Sequence, residues 1–124
     1  MLELLVQFIH SQAKLPSKVY SNDAGWDISC VEDKYFRKIY PSGEFGFLLY
    51  PKESHVFSTG IKIAIPNNYT LIYKDRSGLG VKKNLHVLAG VIDCQYRGEL
   101  KVCLINLGRE PVKILPSDRI VQAL

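Results

Sequence analysis

Residues 89–100 read AGVIDCQYRGEL. An apolar run ending in Val91 and Ile92 delivers one acid, Asp93; Tyr96, Arg97 and Gly98 follow before a second alternating apolar run begins. Strand-forming runs on either side of a polar turn predict a β-hairpin, with residues 85–93 (LHVLAGVID) and 98–108 (GELKVCLINLG) as its arms. Burial of Val91 and Ile92 would hold the backbone rigid just before Asp93. A rigid carboxylate beside a turn can orient and deprotonate a water. Tyr96 offers a flat face to a sugar or base, and Gly98 permits a bulge or a close backbone approach. The same residues also suit a plain tight hairpin, with Asp93 as a turn residue and Tyr96 packing across strands.

The period-two pattern extends outward in both directions. Further strands are predicted at 4–10 (LLVQFIH), 25–31 (GWDISCV), 44–50 (EFGFLLY), 55–66 (HVFSTGIKIAIP), 69–74 (YTLIYK) and within 111–124 (PVKILPSDRIVQAL). Turn signals such as SNDAG, YPSGE, IPNN, RSGLG and LPSD separate them. Runs recurring at intervals of about ten residues predict an all-β barrel or sandwich. The best helical segment is SGLGVKKN at 77–84, whose glycines allow a turn or so.

The 124 residues are expected to form one domain spanning 1–124. Apolar residues make up 47% of the chain, which argues against disorder. A net charge of +4 mildly favours an anionic partner but is too small to imply nucleic acid, and aromatic and basic residues are not interleaved on one stretch. Cys30, Cys94 and Cys103 are odd in number and lack C-x-x-C spacing, so a reducing compartment is expected and neither disulfides nor a zinc site are. His10, His55 and His86 have no metal-ligand spacing. The opening run MLELLVQFIH is interrupted by Glu3 and has no signal-peptide features. No run approaches membrane-spanning length. The expectation is an intracellular protein, cytoplasmic or nuclear, of cellular, viral or phage origin, with no membrane partner.

Two more polar clusters break the strand pattern. In NDAGWDIS (22–29), Asp27 lies within a strand, where it also reads as an ordinary edge acid. In KDRSGLG (74–80), Arg76 and Ser77 precede Gly78, with a second glycine at Gly80. Backbone N–H groups in such a turn can converge on an anion, and a hydroxyl and a guanidinium add phosphate donors. An ordinary strand-to-turn connection would look similar. The stretch is not a Walker A loop.

Taken in order, DAGWD (23–27), RSGLG (76–80), AGVIDCQYRGEL (89–100) and SDRIVQAL (117–124) resemble the first four motifs of the dUTP pyrophosphatase (dUTPase) family, of the trimeric type, and the resemblance covers essentially the whole chain. It implies a β-clip or jelly-roll-like barrel and a homotrimer with active sites at subunit interfaces. It implies an enzyme of nucleotide metabolism, a hydrolase that converts dUTP to dUMP and pyrophosphate with Mg2+, keeping the nucleotide pool free of dUTP and supplying dUMP. Asp93 would be the catalytic carboxylate that activates the attacking water. Tyr96 would pack on the deoxyribose and exclude a 2′-hydroxyl. The backbone of residues 87–92, including Val87, Gly90 and Ile92, would read the uracil edge. Ser77, Gly78 and neighbouring amides would hold phosphates with Arg76 nearby, Gln122 would donate to a phosphate, and Asp27 would hold a water on the Mg2+.

Physical chemistry agrees with such a site. A triphosphate needs cations and aligned N–H donors. A Mg2+ held mainly by phosphates and water needs few protein ligands, consistent with a sequence that lacks a metal cage.

The chain also departs from the family pattern. Trp26 replaces the usual Tyr or Phe, a packing change. Ser117 stands where glycine usually precedes the aspartate, which a slightly different turn would absorb. Val87 stands where many members carry asparagine, so base recognition would rest on backbone groups. Residues 34–53 form a longer segment than the family implies and are predicted to make an extra hairpin turning at PSGE. The glycine-rich fifth motif is not present in these 124 residues. Its lack keeps an alternative open: a dUTPase-fold interaction or regulatory module with weak or no catalysis. A third reading, the dCTP deaminase branch of the fold, fits the YRGE ending less well.

Overall fold

The computed structural model describes residues 4–124; Met1 to Glu3, the start of the opening apolar run, lie outside the described residues. In chain order the elements are β1 (Leu5–Phe8), β2 (Trp26–Ser29), β3 (Arg37–Ile39), β4 (Glu44–Leu49), β5 (Ser54–Ala64), β6 (Leu71–Lys74), α1 (Ser77–Lys82), β7 (Leu85–Leu88), β8 (Val91–Ile92), β9 (Glu99–Asn106), β10 (Val112–Ile114) and β11 (Arg119–Ala123). The all-β expectation holds, with one short helix at the RSGLG motif. Among the described residues no helix is long and apolar enough to cross a membrane.

The strands form three antiparallel sheets, ordered β1-β5-β9-β7, β10-β4-β3 and β2-β11-β6-β8. Alternation decides which side chains meet between them. On β6 and β7 the odd-numbered residues Leu71, Tyr73, Leu85 and Val87 point inward while their neighbours face out. On β9 Leu100, Val102 and Leu104 do the same. With Leu49, Phe57, Ile61 and Ile114 they form one buried cluster. Full burial of a side chain of this size stabilises by about 1.5–3 kcal/mol.

The predicted extra hairpin exists: β3 and β4 pair through Arg37↔Gly46, Lys38↔Phe45 and Ile39↔Glu44. β10 covers the other edge of β4. Gly46 permits that pairing, since a Cβ there would come within 2.6 Å of the Ile114 carbonyl oxygen.

Two expectations need correction. The run 85–93 is not one hairpin arm. β7 does pair with β9, through Val87↔Leu104 and Leu88↔Cys103, but the chain then breaks at Ala89 and Gly90. Both adopt positive φ, 61° and 119°. β8 leaves the first sheet and pairs with β6 instead, through Leu71↔Ile92 and Ile72↔Val91. Val91 consequently faces outward, 64% exposed, and only Ile92 packs against the core.

The second correction concerns Ser117. No different turn absorbs it: Ser117 itself takes φ 73°, the left-handed conformation that suits glycine. Its N–H donates to the Cys30 carbonyl at 2.9 Å, so the turn is fixed from both sides. An L-residue in this region costs roughly 1–2 kcal/mol. Ser117→Gly should therefore raise stability by about 0.5–1 kcal/mol, part of the gain being offset by the entropy of glycine. A melting temperature a few degrees higher by calorimetry checks this; a lower one would mean that the serine side chain holds the turn.

Candidate active site

Strand register assembles three of the four motifs. Gln122 lies opposite Asp27 on one side and Lys74 on the other, because β11 sits between β2 and β6. The Asp27 carboxylate, itself largely buried, accepts from Arg76 Nε at 3.0 Å and lies 3.5 Å from an Arg119 terminal nitrogen. Arg76 also donates to the Arg119 carbonyl at 3.2 Å. One carboxylate thus serves two guanidiniums and fixes Arg76 at the mouth of α1. The helix opens at Ser77 without a side-chain cap, which leaves its first amides for an external acceptor. Ser77 and Gly78 are both exposed there.

Gln122 donates through Nε2 to the Asp75 carbonyl at 2.9 Å, one residue before Arg76. Its side chain also lies directly on Gly25, where a Cβ would come 2.6 Å from Oε1. The glycine of the first motif and the glutamine of the fourth are therefore two halves of one contact. A second Nε2 hydrogen stays available for an external acceptor.

Asp93 and Tyr96 occupy the turn from β8 into β9. The Tyr96 N–H donates to the Asp93 carbonyl at 3.0 Å and closes the turn. The Tyr96 hydroxyl donates to the Glu99 carbonyl at 2.6 Å. The ring folds over Gly98, where a Cβ would sit 2.6 Å from Oη and 2.8 Å from Cζ. Gly98 is needed for the close approach of a ring, not for a bulge. The result is a pinned aromatic surface, 42% exposed. Asp93 is exposed, and among the described residues its carboxylate accepts no hydrogen bond. The structure does not join the two halves directly: among the described residues, no hydrogen bond or ion pair links Asp93 or Tyr96 to Arg76, Ser77 or Gln122.

Of the arm 87–92, Val87 has its side chain in the core, 5% exposed, and its N–H donates to Asp75 Oδ1 at 2.7 Å. Gly90 is buried; its carbonyl accepts from the Tyr73 N–H at 2.8 Å. Ile92 anchors the approach to Asp93.

Sequence reasoning missed two residues. Asp75 ties β6 to β7, taking His86 Nδ1 at 2.6 Å as well as the Val87 N–H. Tyr73 is buried opposite Gly90. The available signal was a polar head on the inward phase of an apolar strand. Of the cysteines, all three are free, and burial pushes the Cys30 thiol up to about 12, so it is inert as a thiolate.

Among the described residues no three His, Cys, Asp or Glu side chains gather as a metal cage. The carboxylate beside Arg76, that of Asp27, already balances two cations. Such a donor set suits a metal held mainly by a ligand's own phosphates and water.

Comparison with known proteins adds to this geometry. A dUTPase family model matches residues 11–124. The chain is 38% identical over 123 residues to the deoxyuridine 5′-triphosphate nucleotidohydrolase of Hydrogenobaculum sp., covering 98% of this chain and 77% of that protein. It is 46% identical over 88 residues to the protein of the same name from a Wolbachia pipientis strain of Culex pipiens, covering 69% of this chain and 58% of that one. Its fold is similar to that of the dUTPase from phage phi11 of S. aureus, with TM-score 0.83 at 23% identity over 99% of this chain and 88% of the other.

Proposed function

The chain belongs to the dUTPase family, and we propose that it hydrolyses dUTP to dUMP and pyrophosphate, with Mg2+ as cofactor and a homotrimer as the working assembly. The observation that carries this reading is the convergence of three sequence-distant motifs, through Asp27, Arg76 and Gln122, on the uncapped start of α1.

Arg76, the Ser77 hydroxyl and the amides of Ser77 and Gly78 form the phosphate seat, a set of donors fixed before the ligand arrives. Gln122 adds its free N–H. Mg2+, when bound, neutralises part of the triphosphate charge and fixes its geometry, with Asp27 holding one of its waters. Asp93 takes a proton from the water that attacks the α-phosphorus; the bond to the bridging oxygen breaks and pyrophosphate leaves. What the carboxylate needs is position, which the closed turn supplies. Tyr96 presents its pinned face to the deoxyribose and leaves no room for a 2′-hydroxyl. The backbone around Gly90 faces the base. A continuous apolar groove lined by Leu4, Leu15, Trp26, Tyr69 and Leu124 supports association of copies.

The test is pyrophosphate release with dUTP, dCTP, dTTP and UTP, each with and without Mg2+. Release from dUTP alone, dependent on Mg2+, is expected. Equal rates on all four nucleotides, or none, would overturn the reading.

A further expectation arises from the Tyr96–Gly98 contact. Gly98→Ala places a methyl against Cζ and Oη and must lift the ring off Glu99. The kcat/KM for dUTP should fall about 10-fold while that for UTP falls less, since steric exclusion weakens as the ring moves. An unchanged dUTP/UTP ratio would make Tyr96 a packing residue.

A further inference from the structure

Asp75 stands at the junction of β6 and α1, and its backbone and side chain are held by different elements. Its carbonyl accepts from Gln122 Nε2 on β11 at 2.9 Å. Its carboxylate reaches β7: Oδ1 accepts the Val87 N–H at 2.7 Å, and Oδ2 accepts from His86 Nδ1 at 2.6 Å. Both carboxylate oxygens are thereby engaged. A Cβ on Gly80 would come 3.1 Å from the Asp75 Cβ, so the first turn of α1 also rests on this residue. Arg76, the next residue, is bonded to Asp27 on β2 at 3.0 Å.

The segment after Asp75 has little else to hold it. α1 has six residues, each exposed or only partly buried, and a helix this short is marginal on its own. Leu79 packs partly against the core. β7, by contrast, pairs with β9 through Leu85, His86, Val87 and Leu88. β6 and β7 belong to different sheets, so the tie between them falls to side chains. The two carboxylate bonds therefore fasten a weakly held junction to a firmly held strand. Without them the junction can swing, taking with it the carbonyl that orients Gln122 and the backbone that carries Arg76.

We propose that Asp75 is a positioning residue for Arg76 and Gln122: its carboxylate locks the β6–α1 junction to β7, and the fixed junction presents both donors to a phosphate chain in one geometry. This rests on the dUTP reading of the site. Asp75 acts through these two side chains rather than on the ligand itself.

The test compares Asp75→Ala, Asp75→Asn and His86→Ala with the wild type, below the melting temperature of each. The readouts are steady-state hydrolysis of dUTP with Mg2+ and inhibition of that reaction by two probes: tripolyphosphate, which has no base, and deoxyuridine, which has no phosphate. In Asp75→Ala, kcat/KM for dUTP should fall about 10-fold and the tripolyphosphate inhibition constant should rise about 10-fold, the scale of lost fixing hydrogen bonds. The deoxyuridine constant should stay within about twofold, because β7 keeps its pairing with β9. The asparagine oxygen can still accept the Val87 N–H, so Asp75→Asn should recover to within about threefold of wild type. His86→Ala removes one of the two bonds and should raise the tripolyphosphate constant about threefold. Unchanged tripolyphosphate inhibition in Asp75→Ala and His86→Ala, with dUTP still hydrolysed, overturns the proposal alone. So does an equal loss of both probes, or a lowered melting temperature with both constants unchanged; either makes Asp75 a residue of the general fold. An asparagine variant no better than alanine also overturns it, because charge and not geometry would then be the requirement. If Asp75→Ala does not fold, Asp75→Asn and His86→Ala carry the same test. A wild-type protein that neither binds dUTP by calorimetry nor hydrolyses it removes the functional reading, and this proposal with it.

Discussion

Asp93→Asn should abolish most turnover while leaving nucleotide binding almost intact. The turn that carries Asp93 is closed by its backbone carbonyl, which accepts the Tyr96 N–H at 3.0 Å, and asparagine keeps that bond. Ile92, packed against the core, anchors the residue from the other side. The side chain is exposed, and among the described residues it accepts no hydrogen bond, so replacing it breaks no internal contact. The amide keeps the shape and loses the basicity. A positioned general base contributes about 10²- to 10⁴-fold, and kcat should fall on that scale. The Kd for α,β-imido-dUTP should change less than about threefold, since no ground-state contact is lost. The pair of measurements is steady-state kinetics and calorimetry. A variant with near-normal kcat would remove Asp93 from the mechanism; one that no longer binds the analogue would give Asp93 a binding role instead.

Asp27→Ala should be nearly as damaging, for a different reason. The carboxylate holds Arg76 by its Nε and lies against Arg119, with little of it open to solvent. Alanine leaves two half-exposed guanidiniums without their shared counter-ion, destabilising the fold by about 1–2 kcal/mol. More important, Arg76 is freed to leave the mouth of α1. Misplacing a phosphate-binding group by an ångström can cost about 10²-fold, and kcat/KM should fall by that much. Asp27→Asn separates the two roles assigned to this residue. Its amide oxygen can still accept from Arg76 Nε, so the arginine stays in place, but an uncharged group holds a metal-bound water less well. The asparagine variant should recover most of the rate at high Mg2+ and the alanine variant should not. Identical Mg2+ dependence in wild type and asparagine variant would confine Asp27 to positioning Arg76.

The residues themselves show which parts of this molecule could be read in advance. Apart from 85–93, which splits in two, each predicted strand is present because alternation reports a half-buried ribbon directly, as in LIYK, where Leu71 and Tyr73 are buried and Ile72 and Lys74 are not. Alternation names a face but not a partner. Nothing in LHVLAGVID distinguishes one strand from two, and the break depends on Ala89 accepting a left-handed φ that sequence pattern does not predict for alanine. Val91 then faced outward rather than inward. Ser117 failed in the opposite direction, since the chain takes a glycine-like left-handed φ there without a glycine to announce it.

At the candidate site, Asp27, Arg76, Ser77 and Gln122 were nameable by resemblance, but their association depends on β11 lying between β2 and β6. Asp75 and Tyr73 carry no motif signature. They matter through partners 11 to 47 positions away in sequence, such as His86, Val87 and Gln122 for Asp75.

The central place of β11 has a consequence for how the molecule is made. Residues 119–123 supply the strand that joins β2 to β6, and residues 112–114 cover β4. During synthesis, the ribosome releases β2 and β6 long before the segment that fits between them. Until residue 123 clears the exit tunnel, β2 lacks its sheet partner, and β6 has only the two-residue β8 beside it. Both are open ladders that another nascent chain could occupy. Such long-range pairing is also intrinsically slow to form. The β1-β5-β9-β7 sheet uses no residue after Asn106 and can pair without the closing strand. The proposed phosphate seat cannot, because its parts meet only when β11 slides into place.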